Sequence, residues 1–379
     1  MPGNTFFFAA GGTGGHIYPG IAVARKITEL QKEAKIHFLC SSKEIDAHII
    51  SPTGCQYTAM PATGLSFKLG KIVRFCRTFL QSRRKAKQIL QDAENPVVLG
   101  IGGFVAAPVC YAAHKMSIPV ALLNLDIIPG KANRFIGRFA DEIFVQFDET
   151  SEYFKKRKAK LSVTGCPLRK QFLNPSPDQA IARLGLEKDK KILLITGASS
   201  GSQSINQTVC SILPKLDNYI DQWQIVHLTG RANFQKVCEQ YNQTKIAHKV
   251  LPYYDEMADL LSAVDLLIGR SGAVSIAEYA AAGTPSICMP YPHHKDLHQY
   301  RNAGKLVQAG AAIIVDDLPE ETERADWLWQ ELEGLLKNEK TRREMSQACR
   351  KLADTNAASV IAEKLLKMSR KKCQNKTPK

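Results

Sequence analysis

Eleven short apolar runs, each separated from the next by a longer stretch of helical periodicity, leave few folds open to this chain. In the first half the runs are Thr5–Ala9, Lys35–Leu39, Val97–Ile101, Val120–Leu123 and Glu142–Val145. In the second half they are Lys191–Ile195, Gln224–Leu228, Lys249–Leu251, Leu266–Ile268, Ser286–Met289 and Ala312–Val315. Helical patterns such as Ile21–Leu30 and Met257–Val264 fill the intervals. Strand–helix alternation of this kind builds parallel sheets covered by helices on both faces. The chain therefore reads as α/β, with two doubly wound, Rossmann-like domains facing across a cleft. The stretch Thr164–Asp178 (TGCPLRKQFLNPSPD) is polar and proline-rich, and its Asn-Pro-Ser-Pro run can continue neither helix nor strand. It is read as a linker over 164–178 between an N-terminal domain, 1–163, and a C-terminal domain, 179–349. A C-terminal helix at about 350–372 is free to pack back on the first domain.

The length, 379 residues, gives room for two cores, and 44% apolar with 23% charged residues is the balance of a soluble globular protein. The charge is uneven: 51 Lys and Arg against 36 Asp and Glu, a net +15. Eight bases and no acid lie between Ser66 and Leu90, and seven bases and no acid between Lys364 and Lys379. Together they equal the whole excess, so the remaining chain is neutral. Local basic patches argue against a nucleic-acid-coating surface. The ten cysteines include no CxxC pair, which supports neither zinc nor a redox dithiol and reads as free thiols in a reducing compartment. The N-terminus, MPGNTFFFAAGG, does not read as a signal peptide. The charge-free stretch 95–114 has the length of a membrane span, but Pro96, Gly100, Gly102, Gly103 and Pro108 favour a strand, a turn and a small-residue helix.

Ligands of a parallel sheet bind beyond the carboxyl ends of its strands, where helix N-termini expose N–H groups and partial positive charge. Three glycine loops occupy such positions: Gly11–His16 (GGTGGH), Gly100–Phe104 (GIGGF) and Gly197–Ser202 (GASSGS). The first lacks the GK[ST] ending of a nucleotide-triphosphate loop, and its glycine spacing is not GxGxxG. A single such loop reads first as a tight strand-to-helix turn; three across two domains point instead to phosphate or sugar. His16 is either a general base near neutral pH or a residue capping its own helix. In IGRSGAVSIAE (268–278), Ser271 is expected as helix N-cap and Gly283 as C-cap, with Glu278 on the same face as Ser271, suited to accept both hydroxyls of a ribose. The loop Pro290–Gln299 gathers three histidines and Asp296, yet its spacing fits no zinc-hydrolase pattern, and the chain has no DxD. No metal site is expected. Apolar Phe67, Leu69, Ile72, Val73, Phe75, Phe79 and Leu80 interleave with the bases of 66–90, an amphipathic pattern suited to an anionic membrane surface. Phe75 and Phe79 are also candidates for an ordinary core face.

These pieces together resemble the MurG family of peripheral-membrane N-acetylglucosaminyltransferases. The matching stretches are GGTGGHIYPGIAVA (11–24), GIGGFVAAP (100–108), PGKANR (129–134), TGCPLR (164–169), RSGAVSIAEYAAAGTP (270–285) and PYPHHKDLHQYRNAG (290–304). The resemblance implies a GT-B glycosyltransferase fold and inverting transfer of N-acetylglucosamine from UDP-GlcNAc to the muramoyl 4-hydroxyl of lipid I. It further implies a peripheral enzyme on the cytoplasmic face of the inner membrane, docked through 66–90, with UDP-GlcNAc as substrate, no cofactor, and other cell-wall enzymes as further partners. By the same resemblance, Thr13, Gly14 and Gly15 contact the donor, and His16 is the base or positions the acceptor. Arg169 and Ser199 contact the nucleotide, and uracil is held by a backbone group at Tyr254. Ala273, Val274, Ser275, Ile276, Ala277 and Glu278 form the helix start, with Glu278 on the ribose, and Gln299 meets a sugar hydroxyl.

Three positions depart from the family pattern. Asp126 stands where the family has a sugar-contacting asparagine, Ser200 replaces a glutamine, and Cys166 replaces an asparagine. Asp126 is thereby a second candidate base. A UDP-GlcNAc 2-epimerase shares the fold but needs neither a lipid acceptor nor a basic amphipathic segment. A nucleic-acid-binding regulator would use 66–90 and the tail but leaves Arg270–Gly304 without a purpose.

Overall fold

The computed structural model describes residues 3–12, 14–64, 69–155, 159–294 and 296–374; for Leu69, Lys71 and 371–374 it describes the backbone alone. Two compact units divide the chain. One runs to Arg169 and resumes at Asp354; the other is Lys170–Ala353.

The first unit carries strands β1 (Thr5–Ala9), β2 (Lys35–Ser41), β3 (Gln56–Met60), β4 (Val97–Gly100), β5 (Val120–Asn124), β6 (Glu142–Val145) and β7 (Lys160–Val163). Its helices are α1 (Gly14–Leu30), α2 (Glu44–Ile50), α3 (Leu69–Gln91), α4 (Gly103–Lys115) and α5 (Lys131–Ile136). The sheet is parallel, in the order β3-β2-β1-β4-β5-β6-β7. Phe7, Leu39, Val98, Val109, Leu122 and Ile143 are among the residues that fill its core. Ala9 pairs with both Leu39 and Gly100, so the loops leaving β1 and β4 start side by side where the strand order reverses. That switch point is where such sheets bind ligands.

The second unit opens on α6 (Pro177–Leu184) and contains β8 (Lys191–Thr196), β9 (Trp223–Leu228), β10 (His248–Leu251), β11 (Leu266–Gly269), β12 (Ser286–Cys288) and β13 (Ala312–Ile314). Its other helices are α7 (Gln203–Leu216), α8 (Phe234–Tyr241), α9 (Met257–Ala263), α10 (Ala273–Ala282), α11 (His298–Gln308), α12 (Glu321–Lys337) and α13 (Glu339–Leu352). The order β10-β9-β8-β11-β12-β13 repeats the switch point, with Thr196 of β8 beside Gly269 of β11. Trp223, Ile225, Leu266, Ile268, Leu328 and Leu332 lie at its core. The chain then returns to the first unit as α14 (Ala357–Gln374), which packs along α1 and buries Ile361 and Leu365.

The strands read from the sequence are all present within two residues at each end, but β3 and β7 were not among them. Both are edge strands with largely exposed residues, and an edge strand needs no continuous apolar run. The linker reading also changes locally. A 3-10 turn covers Lys170–Leu173, and Pro177 opens α6 at a position where no backbone N–H is needed. Stretch 95–114 is β4, a glycine turn and α4, and among the described residues no helix is long and apolar enough to cross a membrane.

Candidate active site

In the first unit the glycine loops after β1 and β4 interlock. Gly11 and Gly12 have φ of +151° and +95°, and Gly102 and Gly103 have +130° and +74°. A Cβ on Gly103 would come within 2.5 Å of the Gly11 carbonyl oxygen, and one on Gly11 within 2.7 Å of Asp46 Oδ2. Asp46, on α2 and wholly buried, fixes the loop. It accepts from the Gly12 N–H at 3.0 and 3.2 Å, the Ser41 N–H at 2.9 Å and the Ser41 hydroxyl at 2.6 Å. Lys43 Nζ donates to the Gly12 carbonyl at 3.0 Å.

His16, in the first turn of α1, lies against Gly102. Burial pushes its imidazole below the ordinary histidine range. The carboxylates of Asp126 and Asp46, and a hydrogen bond to the Gly11 backbone, pull it back up. Thr13 lies outside the described residues; Gly14 and Gly15 open α1.

Behind Gly102 sits a pair of amides. Asn133 Nδ2 donates to Asn124 Oδ1 at 2.8 Å, and Asn124 Nδ2 donates to the Asp126 carbonyl at 2.7 Å. Asn133 Oδ1 is buried without a partner among the described residues, 3.4 Å from the point where a Gly102 Cβ would stand. Asp126 thus stands two residues past the end of β5, held through its own backbone carbonyl. Arg169 stacks on Tyr18 of α1, its Cζ 4.4 Å from the ring centroid. Cys166 is buried.

The second unit arranges its loops around a buried arginine. Arg270, leaving β11, donates from Nη1 to the Met289 and Pro290 carbonyls at 2.8 and 3.2 Å. Its Nη2 reaches Ser202 Oγ at 2.7 Å, Ser204 Oγ at 2.9 Å and Asp317 Oδ2 at 2.7 Å. Ser202 caps α7, so Arg270 ties the 197–202 loop to the strand ends beside it. Ser199 and Ser200 are exposed on that loop. Gly201, at φ +72°, passes so close to Thr229 that a Cβ would lie 2.2 Å from its carbonyl oxygen.

The start of α10 differs from the sequence reading. Gly272 is the N-cap, without a side-chain cap; Ser271 stands one residue earlier, wholly buried, and donates its hydroxyl to the Gln299 carbonyl at 2.9 Å. Ser271 and Glu278 therefore do not share a helix face as expected; the first turn is Ala273, Val274, Ser275 and Ile276, with Ala277 and half-buried Glu278 following. Gly283 is the C-cap at φ +73°. Gln299 Oε1 accepts from the Tyr291 N–H at 3.0 Å. Tyr254 lies between β10 and α9, its phenol pushed up by burial and the nearby Glu256 charge. His298 Nδ1 pairs with Asp296 at 2.7 Å, and His294 stacks on His298 at 4.3 Å. Among the described residues no group of three or more His, Cys, Asp or Glu is arranged around a metal position.

Of the basic segment, residues 66–68 lie outside the described residues, and the rest is α3. Phe75 and Phe79 are half-buried, and Phe79 leads into a ring cluster of Tyr111, Phe135 and Phe139. Arg83 and Lys115 both lie over Tyr111. The apolar groups facing solvent are instead Ile72, Val73 and Leu80.

Asp46, Asn124, Asn133 and Asp317 carried no assignment from sequence. Asn133 stands inside PGKANR, which offered a signal; Asp46 and Asp317 sit in stretches without a motif, and only the fold brings them to the glycine loops.

Two family models match the chain: the glycosyltransferase family 28 N-terminal domain over residues 6–145 and the family 28 C-terminal domain over residues 192–377. A relative from Alkaliphilus metalliredigens (strain QYMF) is named UDP-N-acetylglucosamine--N-acetylmuramyl-(pentapeptide) pyrophosphoryl-undecaprenol N-acetylglucosamine transferase. It is 35% identical over 364 residues, 95% of this chain and 98% of the relative. The crystal structure of Acinetobacter baumannii MurG superposes with a TM-score of 0.72 at 24% identity, over 97% of this chain and 100% of that one. A UDP-GlcNAc 2-epimerase from Neisseria meningitidis bound to UDP-GlcNAc reaches 0.66 at 15% identity, over 97% and 100%. Both structures share the GT-B fold with this chain.

Proposed function

The chain belongs to the family of pyrophosphoryl-undecaprenol N-acetylglucosamine transferases within glycosyltransferase family 28, and on that premise we propose that it converts lipid I to lipid II. N-acetylglucosamine passes from UDP-GlcNAc to the muramoyl 4-hydroxyl. The observation that carries this reading is 35% identity to a transferase of that name along 95% of the chain.

The second unit takes the donor. Glu278 accepts hydrogen bonds from the ribose hydroxyls, a backbone group at Tyr254 holds uracil, and the start of α10 from Ala273 to Ala277 faces the diphosphate. Ser199 and Arg169 add hydrogen bonds to the nucleotide, and the Gln299 amide meets a sugar hydroxyl. Thr13, Gly14 and Gly15 are further donor contacts. The charge of the departing diphosphate is met by helix start, hydroxyl and guanidinium, without a metal ion.

His16 is the base. Its depressed basicity keeps the imidazole neutral near pH 7, and the same Asp126 and Asp46 that pull it upward stabilise the imidazolium it becomes. The acceptor hydroxyl gives its proton to His16 and its oxygen bonds to the anomeric carbon from the face opposite UDP. The bond from that carbon to the diphosphate oxygen breaks, UDP leaves with the electron pair, and the configuration inverts. Asp126 is the alternative base, since a carboxylate accepts a proton where an amide does not. The basic, apolar face of α3 holds the enzyme on an anionic membrane, on its cytoplasmic face.

Transfer of radiolabel from UDP-GlcNAc to a lipid I analogue tests the reading. Labelled lipid II is expected from the wild type, with sharply reduced amounts from His16→Ala and Glu278→Ala. Wild-type rates in both variants, or a 2-epimerised sugar formed without acceptor, would overturn it.

A further inference from the structure

The buried ion network behind the 197–202 loop has no part in the chemistry above. Asp317 follows β13, and its carboxylate is 4% exposed. One oxygen, Oδ2, accepts from Arg270 Nη2 at 2.7 Å and from the Ser204 hydroxyl at 2.7 Å. The other, Oδ1, lies 3.7 Å from Arg324 Nε, which itself donates to Thr208 Oγ1 at 2.5 Å. Arg324 also donates to the Leu318 carbonyl. Arg270 and Arg324 are 9% and 5% exposed.

Burying an ion pair contributes little net stability compared with an apolar packing of the same volume, and what this one does in the fold is join separate segments. Here the geometry is specific. Through Arg270 the carboxylate connects the cap and first turn of α7 (Ser202, Ser204), the end of β12 (Met289, Pro290), the end of β11 and the segment after β13. These are the carboxyl ends of adjacent strands, the side on which a doubly wound sheet holds a nucleotide.

We propose that Asp317 is a positioning residue for the donor nucleotide: it orients Arg270, and Arg270 holds the 197–202 loop and the Met289–Pro290 segment in the arrangement that receives the diphosphate. This rests on the transferase reading. The charge count makes the proposal discriminating. The three buried groups are two guanidinium cations and one carboxylate. Removing the carboxylate leaves more positive charge near the diphosphate, which by long-range attraction alone would tighten nucleotide binding. Loss of positioning does the opposite.

The test uses the full chain with Asp317→Asn and Ser204→Ala. UDP affinity is measured by calorimetry, KM and kcat by transfer from UDP-GlcNAc, and Tm by thermal unfolding. Asp317→Asn is expected to weaken UDP binding and raise the UDP-GlcNAc KM by about fivefold or more, with a smaller change in kcat. Ser204→Ala removes the bridging hydroxyl without altering charge, and is expected to raise KM about twofold. Should Asp317→Asn not fold, Ser204→Ala decides. Unchanged or tighter UDP binding, or a lower Tm with unmoved KM, overturns the role of Asp317 while wild-type transfer still stands. A wild type that binds no UDP overturns the transferase reading, and this proposal with it.

Discussion

The imidazole of His16 lies against the backbone of Gly102, so that a Cβ at position 102 would stand 3.0 Å from both Cδ2 and Nε2 of the ring. Gly102 also holds φ at +130°, a conformation side chains rarely adopt. Gly102→Ala is therefore expected to displace the imidazole and lower kcat about ten- to hundredfold, with a much smaller change in the affinity for UDP. Rate and nucleotide affinity measured on one preparation decide it. An alanine variant with wild-type kcat would mean that His16 is not held by this contact or does not act in the transfer.

The charge of Asp46 is open to a pH test. If His16 is the base, the acid limb of kcat/KM reports its protonation and falls below the ordinary histidine range, because burial disfavours the imidazolium. Asp46 favours the imidazolium, so Asp46→Asn removes that support and is expected to move the acid limb further down in pH. Ser41→Ala, which deletes the hydroxyl bonded to Asp46 but leaves its charge, is expected to leave the limb in place. An unmoved limb in Asp46→Asn separates His16 from the observed titration.

Most of the architecture was legible because buried parallel strands announce themselves: β1, β4, β5, β8 and β11 are apolar on both faces and end on glycine or on residues that open a loop. The edge strands β3 and β7 escaped because half-exposed strands carry ordinary polar composition. The glycine loops stood out since positive φ and close approach demand glycine, as Gly11 and Gly103 show against each other. What remained hidden was the polar support: Asp46 lies thirty-four residues from Gly12, and Asp317 forty-seven from Arg270. The N-cap of α10 was misassigned for the same reason. Serine is a good cap in isolation, but Ser271 lies one residue before the cap position, its hydroxyl bonded to the carbonyl of Gln299, distant in sequence and adjacent in the fold.

The membrane prediction moves to different residues once α3 is seen. Phe75 and Phe79 are engaged with other aromatic rings, whereas Val73 is 69% exposed and Leu80 49%. The double variant Val73→Ser/Leu80→Ser is expected to reduce co-sedimentation with vesicles containing anionic lipid, and to leave turnover of a short-chain soluble acceptor close to wild type. Arg84→Glu on the same helix is expected to weaken binding at low salt and to leave what remains less dependent on salt. Undiminished sedimentation in both variants would remove α3 as the docking face.

Stability at low pH has an identifiable contributor in the second unit. His227 is wholly buried on β9, with Nε2 3.0 Å from Asn206 Oδ1 and Nδ1 3.0 Å from the Tyr241 hydroxyl. Asn206 spends its NH2 on the Thr229 carbonyl at 2.9 Å, so its oxygen accepts from the ring and the ring's other nitrogen accepts from tyrosine. A second ring proton would meet the tyrosine oxygen with no solvent to relieve it, and burial pushes the group from 6.5 to about 3. Between those two values the unfolded chain binds a proton that the folded chain refuses, so stability is whole above about 6.5 and is lost as pH falls toward 3. The slope from this one group is about 1.4 kcal/mol for each pH unit within that window. His227→Gln, which does not titrate, is expected to be less stable at pH 7.5 yet to narrow its deficit as the pH is lowered to 4.5. Urea unfolding of both proteins across that range measures the difference. A deficit that stays constant with pH would show that His227 takes up its proton as readily in the folded chain as in the unfolded one.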